Sequence, residues 1–175
     1  MNLQLQPSLG YLAQTGTLKG IGVFASRTIE AGEVVEVSPV IPLKLEIEEM
    51  EAGLKRRVFN WERLASRQGT SAIALGYGSM YNHANPANMR YSSALAGEAI
   101  AFIAVREIDR GEELTINYNG VGGEPVSSED VWFKACGVVP IPGDIPSDAQ
   151  RSNGEEVKHG PLHVVGMDSP EGTDA

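Results

Sequence analysis

The stretch Leu75–Asn88 reads LGYGSMYNHANPAN and lies between two predicted strands, Ser71–Leu75 and Asn88–Ser93. It is rich in glycine and asparagine, which favour irregular backbone. Such loops hold polar side chains that can be directed at a ligand, because the rigid elements on either side position them. An equally acceptable interpretation is a structural loop whose asparagine side chains cap its own backbone. The stretch alone leaves both interpretations open.

An earlier stretch, Lys19–Ala25, reads KGIGVFA and predicts a glycine turn that enters an apolar strand. The glycines on both sides of Ile21 would let the backbone approach a ligand without interference from a Cβ atom. The stretch lacks the third glycine and the following helix of a dinucleotide-binding motif. On its own it indicates only a turn.

A later stretch, Ala104–Gly120, reads AVREIDRGEELTINYNG. It predicts a β-hairpin with a turn at Asp109–Glu112 and a second strand that ends near Tyr118. The preceding run Ile100–Val105 is apolar at successive positions, as expected of a strand that is buried on both faces. This half of the chain is therefore predicted to be rich in strands.

The remaining predicted elements are short. A tight turn at Glu30–Glu33 leads into the β-branched run Val34–Val37. The apolar residues of Leu45–Leu54 recur at helical spacing, which predicts a short surface helix, and Arg57–Leu64 has the pattern of a strand. No internal repeat is apparent. The pattern as a whole predicts a mostly-β domain.

The composition limits the classes of function. The chain has 175 residues, enough for one domain with its own core. Its formal net charge of −9 argues against direct nucleic-acid binding, which requires a basic surface. A single cysteine, Cys136, permits neither an internal disulfide nor a multi-cysteine zinc site, so no metal site is expected. Because no signal sequence and no apolar run of roughly 20 residues is visible, we expect a soluble, intracellular, cytoplasmic protein with no membrane partner.

In combination, the three stretches resemble the SET domain. They supply an early Gly-x-Gly strand entry, a central Asn-His segment that ends in asparagine, and a late Gly-Glu-Glu-Leu-Thr run that leads to tyrosine. Their order and spacing match over residues 10–133, which we take as the domain. Residues 134–175 form a C-terminal extension, and its polar composition predicts that it is largely disordered from residue 140. The chain is similar to the small SET proteins of bacteria and large viruses, which implies a mostly-β fold of several short sheets with small helices and a C-terminal pseudoknot.

The same resemblance implies transfer of methyl groups from S-adenosylmethionine to the side-chain amine of lysine in a protein substrate. The implied catalytic residue is Tyr118. The implied cofactor-binding residues are Lys19, Gly20, Ile21, Gly22, Asn82, His83 and Tyr118. The implied walls of the lysine channel are Tyr91, Trp132 and Phe133, although all three could instead serve only as packing residues.

The implied partner is a lysine-bearing protein, such as a histone tail or another basic protein. A nuclear location would apply if the source is eukaryotic and the target is chromatin. Viral relatives leave a homodimer open as an alternative to a monomer.

The chemistry explains why these residue types are suitable. Methyl transfer is an in-line displacement at a sulfonium by a neutral amine, so the site must align two partners. It must also favour the neutral form of lysine, whose ordinary pKa is about 10.4, and burial beside the sulfonium lowers that pKa. The chain departs from the family pattern at Ala84, where serine is common, and at Pro86, which stands one position early. These departures keep open a second hypothesis, a catalytically inactive SET-fold module that binds a partner.

Overall fold

The computed structural model describes residues 3–17, 19–45, 50–67, 70–118 and 120–123. The predicted C-terminal pseudoknot, the predicted disordered extension and the candidate channel residues Trp132 and Phe133 lie outside these residues. Within them the chain is mostly strand, as the sequence predicted.

The described residues form nine strands and two short α-helices, together with 3-10 turns at Gly78–Met80 and Leu95–Gly97. In chain order the elements are β1 (Gly10–Gln14), β2 (Ile21–Ala25), β3 (Val34–Leu43), α1 (Ala52–Lys55), β4 (Val58–Asn60), α2 (Trp61–Ala65), β5 (Ser71–Ala74), β6 (Asn82–His83), β7 (Met89–Ala94), β8 (Ala99–Ala104) and β9 (Glu113–Ile116).

Strand β9 brings distant parts of the chain together. The hydrogen-bonded order is β1-β2-β9-β7-β8-β3-β5-β4, and β6 pairs separately with β9. Strand β2 is antiparallel to β9, whereas β6 and β7 run parallel to it. Short parallel pairs require long connections between them, so this meeting point could not be predicted from local pattern. The three stretches that the sequence singled out therefore converge on one strand.

The long strand β3 joins two parts of the sheet. Its first part, Val34–Pro39, pairs with β8, and its second part, Val40–Leu43, pairs with β5. A register shift between Val34 and Glu36 marks a bulge in the first part. A bulge bends the strand and changes the direction of its side chains. The charged residue Glu36 lies at this bulge, inside an otherwise apolar run.

The structure reveals an internal repeat, which corrects the expectation that there is none. Arg27–Glu33 and Arg106–Glu112 share arginine, isoleucine, glycine and glutamate at equivalent positions. In each segment the arginine forms an ion pair with the final glutamate. The two segments face each other through reciprocal backbone hydrogen bonds of 2.9 Å between Ile29 and Ile108. The relation is a local pseudo-two-fold axis between two turns, and it was missed because only four of seven positions are identical.

Both turns were predicted and both are confirmed. The amide of Glu33 donates to the carbonyl of Glu30 at 3.1 Å, and the amide of Glu112 donates to that of Asp109 at 3.0 Å. Glycine at the third position of each turn has a positive φ, +82° in the first and +85° in the second. Glycine adopts this conformation without the steric penalty that a side chain would incur.

The predicted strand over Arg57–Leu64 is only partly correct. Its first residues form β4, but the chain then turns into α2. The side-chain oxygen of Asn60 accepts a hydrogen bond of 3.0 Å from the amide of Arg63 and so caps the helix. An asparagine cap favours a helix start even where the apolar pattern suits a strand. The predicted surface helix is present as α1 at the end of its range, while residues 46–49 lie outside the description.

The core is built around strand β8, which is buried along almost its whole length, as predicted. Phe102 contacts Tyr81 with ring centroids 4.8 Å apart, and Phe59 packs edge-on against Tyr91 at 5.5 Å. Aromatic pairs of this geometry add to the stabilisation that burial of their area provides. The cluster includes Leu114 and Ile116 of β9 and Tyr81, which directly precedes β6, so it supports the segment that carries Asn82 and His83.

Candidate active site

Asn82 connects the central stretch to the early glycine stretch. Its side-chain Nδ2 donates to the carbonyl oxygen of Ile21 at 3.1 Å and to Oε1 of Glu113 at 2.7 Å. A Cβ atom at position 22 would lie 3.0 Å from this nitrogen and 2.5 Å from the Glu113 oxygen. The glycine at position 22 is therefore required by the close approach of the amide, which is a structural reason for one glycine of the Gly-x-Gly pair.

Lys19 reaches the same place from the start of the stretch. Its Nζ donates to the backbone carbonyl of His83 at 3.0 Å and lies 4.0 Å from the carboxylate of Glu113. The side chain of Lys19 is 35% exposed, so its charge stays accessible at the surface. The structure thus brings Lys19, Gly20–Gly22, Asn82 and His83 together, as the resemblance implied.

His83 is held in an uncharged state. The residue is 5% exposed, and its Nδ1 accepts a hydrogen bond of 3.2 Å from the backbone amide of Tyr118. Burial, reinforced by the positive charge of Lys19, lowers the pKa of the imidazole to about 4. A neutral ring is consistent with an acceptor nitrogen, so His83 here orders the chain around Tyr118 and is not poised to exchange protons near neutral pH.

Tyr118 follows β9 and points its hydroxyl at the central stretch. The hydroxyl donates to the carbonyl oxygen of Tyr81 at 2.9 Å. Burial raises the pKa of the phenol to about 12, although the nearby charge of Arg57 opposes the shift. The phenol is therefore protonated at neutral pH, and it can orient a partner by hydrogen bonding but cannot act as a base there.

A surface cavity opens over Tyr118. The cavity is shallow and half open to solvent: the space in which the centre of a water-sized sphere fits is about 10 Å³, and the walls combine aromatic, small and cationic residues. The lining residues are Arg56, Arg57, Val58, Phe59, Gly78, Ser79, Tyr81, Ile116 and Tyr118. A hydroxyl beside a partly apolar surface suits contact with an aliphatic chain that ends in a polar group.

Asn88 fixes the far end of the central loop to β9. Its Oδ1 accepts from the amide of Thr115 at 2.8 Å, and its Nδ2 donates to the carbonyl of Glu113 at 2.8 Å. The residue is buried, so these bonds satisfy groups that water cannot reach. The second half of the stretch is thereby braced at Asn82 and at Asn88.

The third group of candidate residues is placed differently. Tyr91 is 2% exposed, packs among Phe59 and Phe102, and is not among the residues that line the cavity. Its hydroxyl donates to the carbonyl of Asn117 at 3.4 Å, and burial raises its pKa. Trp132 and Phe133 fall outside the described residues. The role of these three side chains in a lysine channel stays a prediction.

Sequence reasoning missed Glu36, a carboxylate that is 2% exposed. Its Oε2 accepts from the hydroxyl of Tyr81 at 2.6 Å and its Oε1 from the amide of Tyr77 at 3.0 Å. Since the carbonyl of Tyr81 accepts from Tyr118, the buried carboxylate supports the residue that orients the tyrosine. A lone glutamate inside the β-branched run of β3 was the available signal.

Glu113 and Arg57 were also missed as site residues. Glu113 anchors Asn82 and Lys19, and Arg57 lines the cavity. Nothing in the local pattern distinguishes them from ordinary surface charges. In the part of the chain that the structure describes, no group of three or more His, Cys, Asp or Glu could hold a metal ion. No helix within the described ranges is long and apolar enough to span a bilayer.

Comparisons with known proteins agree with this geometry. Residues 20–119 match the SET domain family. A Schizosaccharomyces pombe protein named "Histone-lysine N-methyltransferase, H3 lysine-37 specific" is 32% identical over 150 residues, which are 85% of this chain and 88% of that protein.

Two solved structures have a similar fold. A candidate histone methyltransferase of Plasmodium falciparum has a TM-score of 0.51 at 22% identity, over 65% of this chain and 95% of that one. A chain of an active polycomb repressive complex 2 in the stimulated state has a TM-score of 0.52 at 20% identity, over 65% of this chain and 15% of that chain. At these identities the two likenesses support the fold alone.

Proposed function

The chain belongs to the SET-domain family and is a protein-lysine methyltransferase, and from this premise we propose that its catalytic residue is Tyr118. The observation that carries the assignment is the hydrogen bond from the Tyr118 hydroxyl to the Tyr81 carbonyl at the wall of the cavity. This bond fixes the direction of the phenol oxygen. A positioned hydroxyl can orient the incoming amine for in-line attack.

The residues around Lys19 and Asn82 fit the amino-acid end of S-adenosylmethionine. Lys19 offers a cation for a carboxylate, and it is ordered by the carbonyl of His83. The side-chain nitrogen of Asn82 donates to Ile21 and to Glu113. Its side-chain oxygen, Oδ1, is therefore the atom that would accept a hydrogen bond from the ammonium group of the cofactor. The Ile21 side chain, 43% exposed, adds apolar surface beside them.

When bound, S-adenosylmethionine supplies an electrophilic methyl group. We assign its binding to Lys19, Gly20, Ile21, Gly22, Asn82 and His83, with Tyr118 beside the methyl group. The protein's own contribution is alignment and exclusion of water. Tyr118 is protonated at neutral pH, and His83, with a pKa of about 4, is too weak a base to take the proton of lysine there. We therefore assign neither residue as the base and propose that the lysine loses its proton to water.

The proposed substrate is a histone tail or another basic protein. The name of the Schizosaccharomyces pombe relative states that it acts on lysine 37 of histone H3, which supports a histone-type substrate. A target of this kind also supports an intracellular location, nuclear if the target is chromatin. A homodimer remains a separate hypothesis, which light scattering on the purified protein would decide.

The test is transfer of radiolabelled methyl groups to a panel of basic proteins by wild-type protein and by Tyr118→Phe. We expect the variant to lose about 100-fold in kcat, because the lost hydroxyl no longer aligns the amine. Cofactor affinity, measured by calorimetry, should change little. Tyr11→Phe is the matched control, since Tyr11 is an exposed tyrosine on β1 that lies outside the cavity lining.

Equal activity of Tyr118→Phe and wild type would overturn the catalytic assignment. Cofactor binding by wild type without transfer to any protein would favour the inactive binding module instead. Absence of cofactor binding would overturn the site as a whole.

A further inference from the structure

The cavity over Tyr118 has a cationic rim. Arg56 and Arg57 both line it, and both residues are exposed. They follow directly after helix α1 and precede β4, whose first two residues are buried in the cavity wall. The backbone on either side thus holds the two arginines at the opening.

Arg57 is fixed at the rim by its contacts. Its Nη1 donates to the carbonyl of Ser79 at 3.0 Å and contacts Sδ of Met80 at 3.0 Å. Both bonds use one nitrogen, and guanidinium carries five N–H donors in a planar fork. The remaining donors of Arg57 are available for an acceptor that approaches from the cavity mouth, since the described residues give them no further hydrogen bond.

The hydrogen-bond partners of the two arginines among the described residues are all neutral. Among the described residues, no carboxylate forms an ion pair with Arg56 or Arg57. Arg56 donates from Nε to the carbonyl of Ala52 at 3.3 Å, which is a neutral partner. Both positive charges act on Tyr118 by lowering its pKa against the larger effect of burial. The carboxylate of Glu113 acts on Tyr118 in the opposite sense, but it is already engaged by Asn82.

The rim is therefore positively charged, whereas the molecule as a whole is negatively charged. The net charge of −9 attracts a basic protein from a distance, whereas the cavity mouth repels a cation placed next to the target lysine. Unfavourable like-charge contacts are a common means of selecting among otherwise similar partners. An arginine pair also offers bidentate geometry for a carboxylate.

We propose that Arg56 and Arg57 select substrates that carry an aspartate or glutamate within about two residues of the target lysine. An extended peptide advances about 3.3 Å per residue, so a carboxylate one or two residues away reaches the rim while the lysine enters the cavity. This inference rests on the proposed function of the Tyr118 site and names the class of sequence that the site accepts.

The test uses the full-length protein and single-lysine peptides of one sequence. One flanking position at a time, from two residues before the lysine to two after it, carries Asp, Asn, Lys or phosphoserine. At its best position we expect Asp to raise kcat/KM about 2- to 5-fold over Asn, with Lys below both, since exposed charge pairs have effects of this size. The preference should shrink as salt is added.

Arg56→Gln/Arg57→Gln should abolish the difference between the Asp and Asn peptides. Arg57→Lys should keep part of it, because the charge remains without the fork. The matched control is Arg110→Gln, which removes an exposed arginine from the turn before β9, away from the cavity lining, and should preserve the wild-type preference. Cofactor affinity and the urea midpoint establish that each variant is folded.

Methylation that ignores the flanking residue would overturn this inference and leave the proposed function intact. Preference for Lys, preference for phosphoserine without any for Asp, or an Asp preference that survives in the double variant would also overturn it. If cofactor binds but neither a peptide nor a basic protein is methylated, the proposed function fails and the inference fails with it.

Discussion

At the scale of single residues, the site depends on burial that changes the protonation of its side chains. His83 is neutral because it is desolvated beside the cation of Lys19, and it accepts the backbone amide of Tyr118 in that form. Protonation would place a charge in a buried position and remove the acceptor. The fold therefore favours the neutral imidazole over the imidazolium.

This imposes a pH dependence on stability. An ordinary histidine has a pKa of 6.5, and folding lowers that of His83 to about 4. The unfolded chain therefore binds the proton more readily, so the stabilisation is fully present above about pH 6.5 and is lost as pH falls toward 4. Between pH 7 and pH 5 we expect the free energy of unfolding to drop by about 2 kcal/mol, measured by urea denaturation.

The drop should disappear in His83→Gln and persist in His159→Gln, which removes one of the chain's other histidines. An identical drop in both variants would show that a group other than His83 is responsible.

Glu36 is the second residue whose environment decides its role. Its carboxylate accepts from the buried Tyr81 hydroxyl and from the partly buried Tyr77 amide. Glu36→Leu removes the acceptor of the Tyr77 amide and leaves the Tyr81 hydroxyl with Ser8 Oγ, 2.9 Å away, as its remaining partner. We expect a loss of about 2 kcal/mol in the free energy of unfolding, because a buried donor without its acceptor costs about 1–3 kcal/mol. Glu36→Gln keeps an acceptor and should lose less.

A readout of positioning accompanies the stability measurement. Since Tyr81 holds the hydroxyl of Tyr118, Glu36→Gln should lower kcat about fivefold while the KM for cofactor stays constant. A change confined to KM would assign Glu36 to cofactor binding, and equal stability of the Leu and Gln variants would contradict the hydrogen-bonding account.

At the scale of elements, the two equivalent turns provide the clearest agreement between sequence and structure. Gly32 and Gly111 have positive φ angles, and nothing lies within 4 Å of a Cβ built at either position. Alanine would therefore meet no steric clash with neighbours, and the only penalty is the left-handed backbone. We expect each substitution to cost about 1–2 kcal/mol in urea denaturation.

Gly53→Ala is the matched control, because Gly53 lies in α1 with open space around it and no positive φ. It should be neutral or slightly stabilising, since alanine favours helix over glycine. Similar losses at all three glycines would mean that the turn conformation is not the cause.

The elements also show where local pattern is insufficient. The turns at Glu30–Glu33 and Asp109–Glu112 were predictable because glycine is the residue that their geometry needs. The repeat that relates them was not, because the two segments are separated by 79 positions (Arg27 to Arg106) and meet through backbone hydrogen bonds between Ile29 and Ile108, which local sequence does not reveal. The start of α2 was missed because a single capping asparagine outweighs a strand-like pattern.

At the scale of the whole molecule, the net charge and the local charge at the cavity have different effects on a protein substrate. The net charge of −9 favours encounter with a basic substrate, and this attraction is screened by salt over about 10 Å at 0.1 M. For a basic protein substrate we expect KM to rise several-fold between about 50 and 300 mM salt while kcat stays constant. Steady-state kinetics at several salt concentrations measure this, and a kcat that falls with constant KM would contradict it.

The sequence by itself determined the family, the mostly-β class and the turns, and it singled out Asn82, His83 and Tyr118 as candidate site residues. These features are local in the chain, because glycine turns, apolar strands and short motifs express themselves within a few residues. Their order along the chain was enough to predict a lysine methyltransferase.

Only the tertiary structure decided how these pieces act on one another. Pairing of β9 with both β2 and β6 places Asn82 against Ile21, 61 residues away, and burial then lowers the pKa of His83 and raises that of Tyr118. The surroundings of Glu36 and Arg57 likewise depend on residues distant in the chain. Glu36 accepts from the hydroxyl of Tyr81, and Arg57 donates to the carbonyl of Ser79. Solvation and electrostatic fields depend on three-dimensional surroundings, which strand pairing creates and local sequence does not encode.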